Sequence, residues 1–172
     1  MESCANPFVT LAQDSIRYYL DHSQPLPCPE ELPEELRRKA AAFVSIKKGR
    51  ELRGCIGTLT PTRPSLAEEI IHNAISAATR DPRFSSVTRE EIPYLAVSVD
   101  VLTPMEEISG LSGHDTRRYG LVVKCGDRQG VLLPDLEGID DARDQLGYCL
   151  RKGRVGENEN YQMFRFEVQR FH

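Results

Sequence analysis

Two short runs around one basic turn commit this chain to a β-hairpin. Ala41-Ala42-Phe43-Val44-Ser45-Ile46 suits a pleated surface, and Lys47-Lys48-Gly49-Arg50 supplies the turn, with glycine taking the unusual dihedral. The return strand is Glu51-Leu52-Arg53-Gly54-Cys55-Ile56-Gly57-Thr58-Leu59. At period two, Leu52, Ile56 and Thr58 share one face, and Arg53, Cys55 and Leu59 the other. A guanidinium and a thiol two residues apart on one face sit roughly 7 Å from each other. Glycines at 54 and 57 bracket the Cys-Ile pair. Glycine inside a strand weakens the sheet and marks a bulge or a close approach to the backbone.

The rest of the chain alternates between strand and helix signals. Residues 95–101 place Leu95, Val97, Val99 and Val101 inward with Ser98 and Asp100 outward, a half-buried strand. Residues 119–124 and 131–133 form a second hairpin around Gly126-Asp127-Arg128-Gln129-Gly130, with Cys125 at its mouth and Pro134 ending it. Residues 161–171 read as one closing strand, with Phe164, Phe166 and Val168 opposed to Arg165, Glu167 and Gln169.

Asn6-Pro7 caps a first helix whose apolar stripe is Phe8, Leu11, Ala12, Ile16, Tyr19 and Leu20. A short helix follows within residues 33–40. Ser65-Leu66-Ala67-Glu68 is a capping box that opens the best-defined helix, with Glu68, Glu69, His72, Ser76 and Thr79 on its polar face. Thr88-Arg89-Glu90-Glu91 is a second capping box, kept short by Pro93. The polar loop 109–118 exposes His114-Asp115. Ile139, Ala142, Leu146, Cys149 and Leu150 line a last helix, with Cys149 a buried, inert thiol. Hairpins with separate helices predict an α+β fold with a largely antiparallel sheet rather than a doubly wound parallel one.

At 172 residues the chain fits one domain. A net charge of −4 argues against a general nucleic-acid or membrane binder. No apolar run approaches membrane-span length, and no basic segment followed by an apolar one suggests a secretory signal. The five cysteines are odd in number and lack paired spacing, so free thiols in a reducing cytoplasm are expected. The histidines have no metal-ligand spacing, and no phosphate loop or dinucleotide fingerprint occurs; neither metal nor cofactor is expected. Residues 37–53 hold seven basic residues against one acidic, Glu51. That corner reads either as a solvated turn and helix face or as an anion site.

The candidate chemistry centres on Cys55. A nearby cation favours the thiolate, which makes Cys55 a candidate nucleophile and Arg53 its candidate stabiliser. Amides at Gly54 and Gly57 are candidate anion donors. Asp81-Pro82-Arg83-Phe84 is a turn whose carboxylate can accept from amides or pair with an arginine. No base can be assigned by spacing, since His72 sits on the polar helix face. Other readings stand beside this one: a scaffold that docks partners at the hexapeptide, nucleic-acid binding at the basic corner, and a purely structural strand in which Arg53 braces a carboxylate such as Asp81.

Leu52-Arg53-Gly54-Cys55-Ile56-Gly57 resembles the signature hexapeptide of the AMMECR family, called AmmeMemoRadiSam system protein A in prokaryotes. Other stretches match in order: the Ala42–Ile46 run with its Lys-Lys-Gly turn, Asp81-Pro82-Arg83-Phe84, residues 97–104, Gly130-Val131-Leu132-Leu133-Pro134 and Phe164-Arg165-Phe166-Glu167. The resemblance implies one domain over residues 1–172 with two unequal lobes, a large one on antiparallel sheet and a smaller helical one. It places binding residues at Leu52, Gly54, Ile56, Gly57, Asp81 and Arg83 beside Arg53 and Cys55. It implies no defined reaction. By its system name it implies a Memo-like protein and a radical S-adenosylmethionine protein as partners; a small anionic ligand is expected from the residues themselves, the basic corner beside Cys55.

Overall fold

The computed structural model describes residues 5–172, so Cys4, one of the expected thiols, lies outside the described residues. Two compact units divide the chain. The first runs through Leu102 and takes back Gln169–His172, and the second is Thr103–Val168.

In the first unit, helix α1 (Pro7–His22) starts where Asn6 Oδ1 accepts from the amides of Phe8 at 3.0 Å and Val9 at 3.4 Å. It ends at Ser23 in the left-handed conformation, whose amide returns to the Tyr19 carbonyl. The short α2 (Glu34–Arg37) buries Leu36. Strands β1 (Ala42–Lys48) and β2 (Glu51–Gly57) are the antiparallel hairpin, turned at Gly49 with φ 63°. Helix α3 (Leu66–Thr79) follows, with Ser65 accepting from the Glu68 amide. A 3-10 helix (Arg89–Tyr94) leads into β3 (Leu95–Leu102).

These strands form a sheet in the order β2-β1-β3-β8, where β8 is Val168–Phe171 and β2 lies at the edge. Ala42, Val44, Ile46, Val97, Val99 and Val101 point inward. They pack against Phe8, Leu11 and Ile16 of α1 and Ile70, Ile71 and Ala74 of α3. On the opposite face Lys47 is exposed and Ser45, Cys55 and Ser98 are half-buried.

Two residues assigned to polar faces turn out buried. Glu69 is 1% exposed. Its carboxylate accepts from Thr58 Oγ1, Thr62 Oγ1 and the amides of Thr62 and Arg63, stapling the loop after β2 to α3. Asp100 is 3% exposed because Arg170 of β8 covers it with two hydrogen bonds, at 2.7 and 2.9 Å. Each carboxylate is buried because its acceptor sites are filled.

The second unit has its own sheet, in the order β4-β7-β5-β6: β4 (Glu106–Ile108), β5 (Gly120–Cys125), β6 (Arg128–Leu132) and β7 (Gln162–Phe166). Helix α4 (Ala142–Gly153) packs on it over Leu121, Val123, Leu132, Cys149 and Leu150. This unit, expected to be helical, therefore carries four strands and one helix. The single closing strand expected over residues 161–171 is two strands, β7 and β8, that join different sheets. Alternation runs through both, so period two cannot register a change of partner.

Gly130 lies within β6, paired with Val123, not in the turn, and it must be glycine because a Cβ there would collide with the Cys149 carbonyl of α4. His114, expected in an exposed loop, is 9% exposed; its Nε2 meets Gln145 Oε1 at 2.6 Å. Gln145 Nε2 donates to the Tyr119 carbonyl, so His114 Nε2 carries the proton. No helix among the described residues is long and apolar enough to cross a membrane.

Candidate functional site

The hexapeptide strand is irregular at the position that matters most. Register runs Ser45↔Cys55 and Ile46↔Gly54, then shifts to Lys47↔Leu52. Arg53 is the extra residue of a β-bulge, and alternation stops there. The expectation that Arg53 and Cys55 share a face therefore fails. Leu52, 39% exposed, takes the place beside Cys55 on the face of Ser45 and Lys47. Ile56 points the other way and packs against the helical core.

Freed from the alternation, Arg53 turns to Glu91. Its Nε and Nη2 donate to the two carboxylate oxygens at 3.0 and 3.1 Å. Nη1 and Nη2 also donate to the carbonyls of Ser85 and Ser86. Glu91 in turn accepts the Thr88 amide at 2.8 Å, the reciprocal half of the capping box. The Arg53 guanidinium beside it is the main reason its carboxyl is held down to about 2. Lys48 pairs with the same carboxylate, so two cations of the basic corner share one negative charge.

Cys55 sits in a row that crosses three strands on the open face: Cys55 pairs with Ser45, and Ser45 with Ser98. Its Sγ lies 3.1 Å from Ser45 Oγ. Because β2 is the edge strand, the Cys55 amide and carbonyl face outward, and the Asp-Pro-Arg turn occupies both. The Cys55 amide donates to Asp81 Oδ2 at 3.0 Å, and Arg83 Nη2 approaches the Cys55 carbonyl at 3.4 Å. Arg83 also grips Asp81 with Nε at 3.0 Å and Nη2 at 2.8 Å. The turn thus covers an unpaired strand edge, a standard protection against unwanted strand pairing.

Exposure separates the two ionic partners. The Asp81 side chain is 2% exposed and that of Arg83 51%. The Arg83 hydrogen bonds, aided by the Cys55 amide, hold the Asp81 carboxyl at about 2. Arg83 itself is raised, first by Asp81 and further by attraction to Cys55. Arg83 is the arginine that reaches the Cys55 backbone, where sequence spacing pointed to Arg53 beside the thiol.

Cys55, Asp81 and Arg83 are thus brought together, and Arg53 serves the bulge. Gly54 and Gly57 have packing reasons: a Cβ at 54 would strike the Ala77 carbonyl of α3, and one at 57 the Phe43 ring and Ala42 carbonyl. Protein atoms approach the Cα of both glycines. His72 is half-buried, and burial lowers its pKa, followed by Arg63. Ser45, Ser98 and Glu91 were missed. Only pairing register finds the serines, while Glu91 was visible as the closing residue of its capping box. Among the described residues no group of three or more His, Cys, Asp or Glu is placed to hold a metal ion. The edge site is one of thiol, hydroxyl and guanidinium.

The AMMECR1 family model matches residues 9–171. The chain belongs to the AMMECR1 family. A protein of Thermotoga maritima is 42% identical over 169 residues, covering 96% of this chain and 97% of that one. A Clostridium acetobutylicum protein is 40% identical over 96% of this chain, which spans only 36% of that longer protein. The crystal structure of an uncharacterized protein from Pyrococcus horikoshii shares the fold with a TM-score of 0.88 at 33% identity, covering 95% of this chain and 88% of that one. The α+β architecture with antiparallel sheets is therefore that of an AMMECR1 family protein.

Proposed function

We propose that the open-face row at Cys55 binds a small anionic ligand, with the Cys55 thiol as reactive group and Arg83 as the charge that receives the anion. One observation carries this reading. Arg83 reaches from Asp81 to the Cys55 carbonyl and is attracted to Cys55, yet half of its side chain stays in solvent. A guanidinium anchored on one side and open on the other suits an incoming carboxylate or phosphate. A cation beside a thiol also favours the thiolate, the nucleophilic form. Leu52 and the Ser45 hydroxyl flank the thiol on the same face.

The test compares alkylation of Cys55 by iodoacetate and by neutral iodoacetamide, read by peptide mass. Iodoacetate should gain relative to iodoacetamide through Arg83, and Arg83→Gln should lower the ratio of the two rates by roughly tenfold. An unreactive Cys55, or a ratio that ignores Arg83, overturns the reading.

A second reading, a non-catalytic docking module, draws on the Clostridium relative, in which this domain is joined to further sequence. A Memo-like protein and a radical S-adenosylmethionine protein are the partners the family's system name suggests. Docking by strand addition at Cys55 is disfavoured, because Asp81 and Arg83 occupy that edge. Docking on the open face at Leu52 is compatible. Pull-down of those two proteins with the wild type and with Leu52→Glu distinguishes the readings, since capture that depends on Leu52 and not on Cys55 favours docking.

A further inference from the structure

Helix α4 carries an open groove on its outer side, within the second unit and apart from the Cys55 row. Its volume is about 530 Å³, inside the roughly 300–1,000 Å³ range of small-molecule sites. Arg143, Gly147 and Arg151 line it at four-residue spacing, so they share one helix face. The two arginines stand about 12 Å apart along the axis. Both are exposed, and neither has an ion-pair partner among the described residues. Arg118, Arg128 and Arg165 of the same unit are each paired with a glutamate. Arg151 lies over the Tyr148 ring at 4.4 Å, and Tyr148 is 43% exposed, so a flat aromatic surface is held at the groove wall.

Gly147 adds an independent observation. It sits in the helix interior, and a Cβ there would meet nothing within 4 Å. Neither packing nor backbone conformation calls for glycine, which is a poor helix former. Its effect is to leave the helix backbone bare at the floor of the groove, midway between two guanidiniums.

We infer that this groove binds a nucleoside monophosphate, a ligand that joins a flat ring to a single phosphate. Guanidiniums take phosphate through paired N–H donors, and aromatic or guanidinium planes stack on bases. Asp144 and Glu157 also line the groove, so its formal charge balances. A polyphosphate or a nucleic-acid backbone would meet two carboxylates. A ligand with one phosphate, ring N–H groups and sugar hydroxyls satisfies both signs of charge.

Calorimetric titration of the full chain with adenosine and guanosine monophosphates tests this, with adenosine and inorganic phosphate as separate arms. At least one monophosphate should bind, and Arg143→Ala and Arg151→Ala should each weaken it about tenfold. Gly147→Leu should abolish binding by filling the floor, while Gly147→Ala retains it. Both glycine variants should melt at or above the wild-type temperature, which separates blockage from unfolding. Cys55→Ser should change nothing, so this inference and the Cys55 proposal fail independently. Absence of binding by either monophosphate overturns it, as does phosphate alone binding equally well or affinity that ignores Gly147→Leu.

Discussion

At the scale of single residues, Asp81 joins stability to the candidate site. Its carboxyl, held at about 2 by Arg83 and the Cys55 amide, would sit near 3.9 in an unfolded chain. A depressed folded value means that the stabilisation is complete above about pH 4 and is lost as the pH falls toward 2. Over that window the Asp81 term is on the order of 2 kcal/mol. Denaturant unfolding at pH 6 and pH 2.5 should show Asp81→Asn less stable than the wild type at the first and closer to it at the second. A constant gap would contradict the assignment. Thiols give a second residue-scale expectation. Cys149 is fully buried, and burial pushes its thiol up to about 12. It should resist alkylation in the folded protein and react only on unfolding. The type and position of Asp81, Arg83 and Cys55 were legible in the sequence. Which arginine serves which carboxylate was not, because a bulge moves a side chain without altering composition.

At the scale of elements, the two hairpin-and-helix pairs share one device. In each, a glycine of the second strand faces a helix carbonyl: Gly54 of β2 meets Ala77 of α3, and Gly130 of β6 meets Cys149 of α4. Alanine at either position forces backbone against backbone, which no rotamer can relieve. Gly54→Ala and Gly130→Ala should each cost about 3 kcal/mol, the upper part of the usual overpacking range. Gly147→Ala, with open space around it, should instead stabilise by up to about 1 kcal/mol. Thermal melts of the three variants check the contrast, and similar shifts for all would refute the close-packing account. Helix starts were legible because capping is local: Asn6 and Ser65 each bond amides within three residues. Glu69 was not, since its four partners come from a loop that helical periodicity cannot see.

At the scale of the whole molecule, the last strand closes the unit that the first helix opens. Phe171 stacks on Phe8 with ring centroids 4.2 Å apart, and Arg170 covers Asp100. Arg170→Ala would leave the Asp100 carboxylate buried without its cation, a loss of about 3–5 kcal/mol. Removal of residues 169–172 should cost at least as much, and a truncated chain that melts like the wild type would refute this placement. The sequence by itself determined the hairpins, the capped helices, the α+β class and the family, because turn chemistry, capping and alternation act between near neighbours. Only the tertiary structure decided that residues 161–171 serve two sheets, that Asp100 and Glu69 are buried, and that Arg83 reaches the Cys55 carbonyl. Those outcomes depend on partners from 6 to 70 residues away, and no local periodicity encodes which of them will meet.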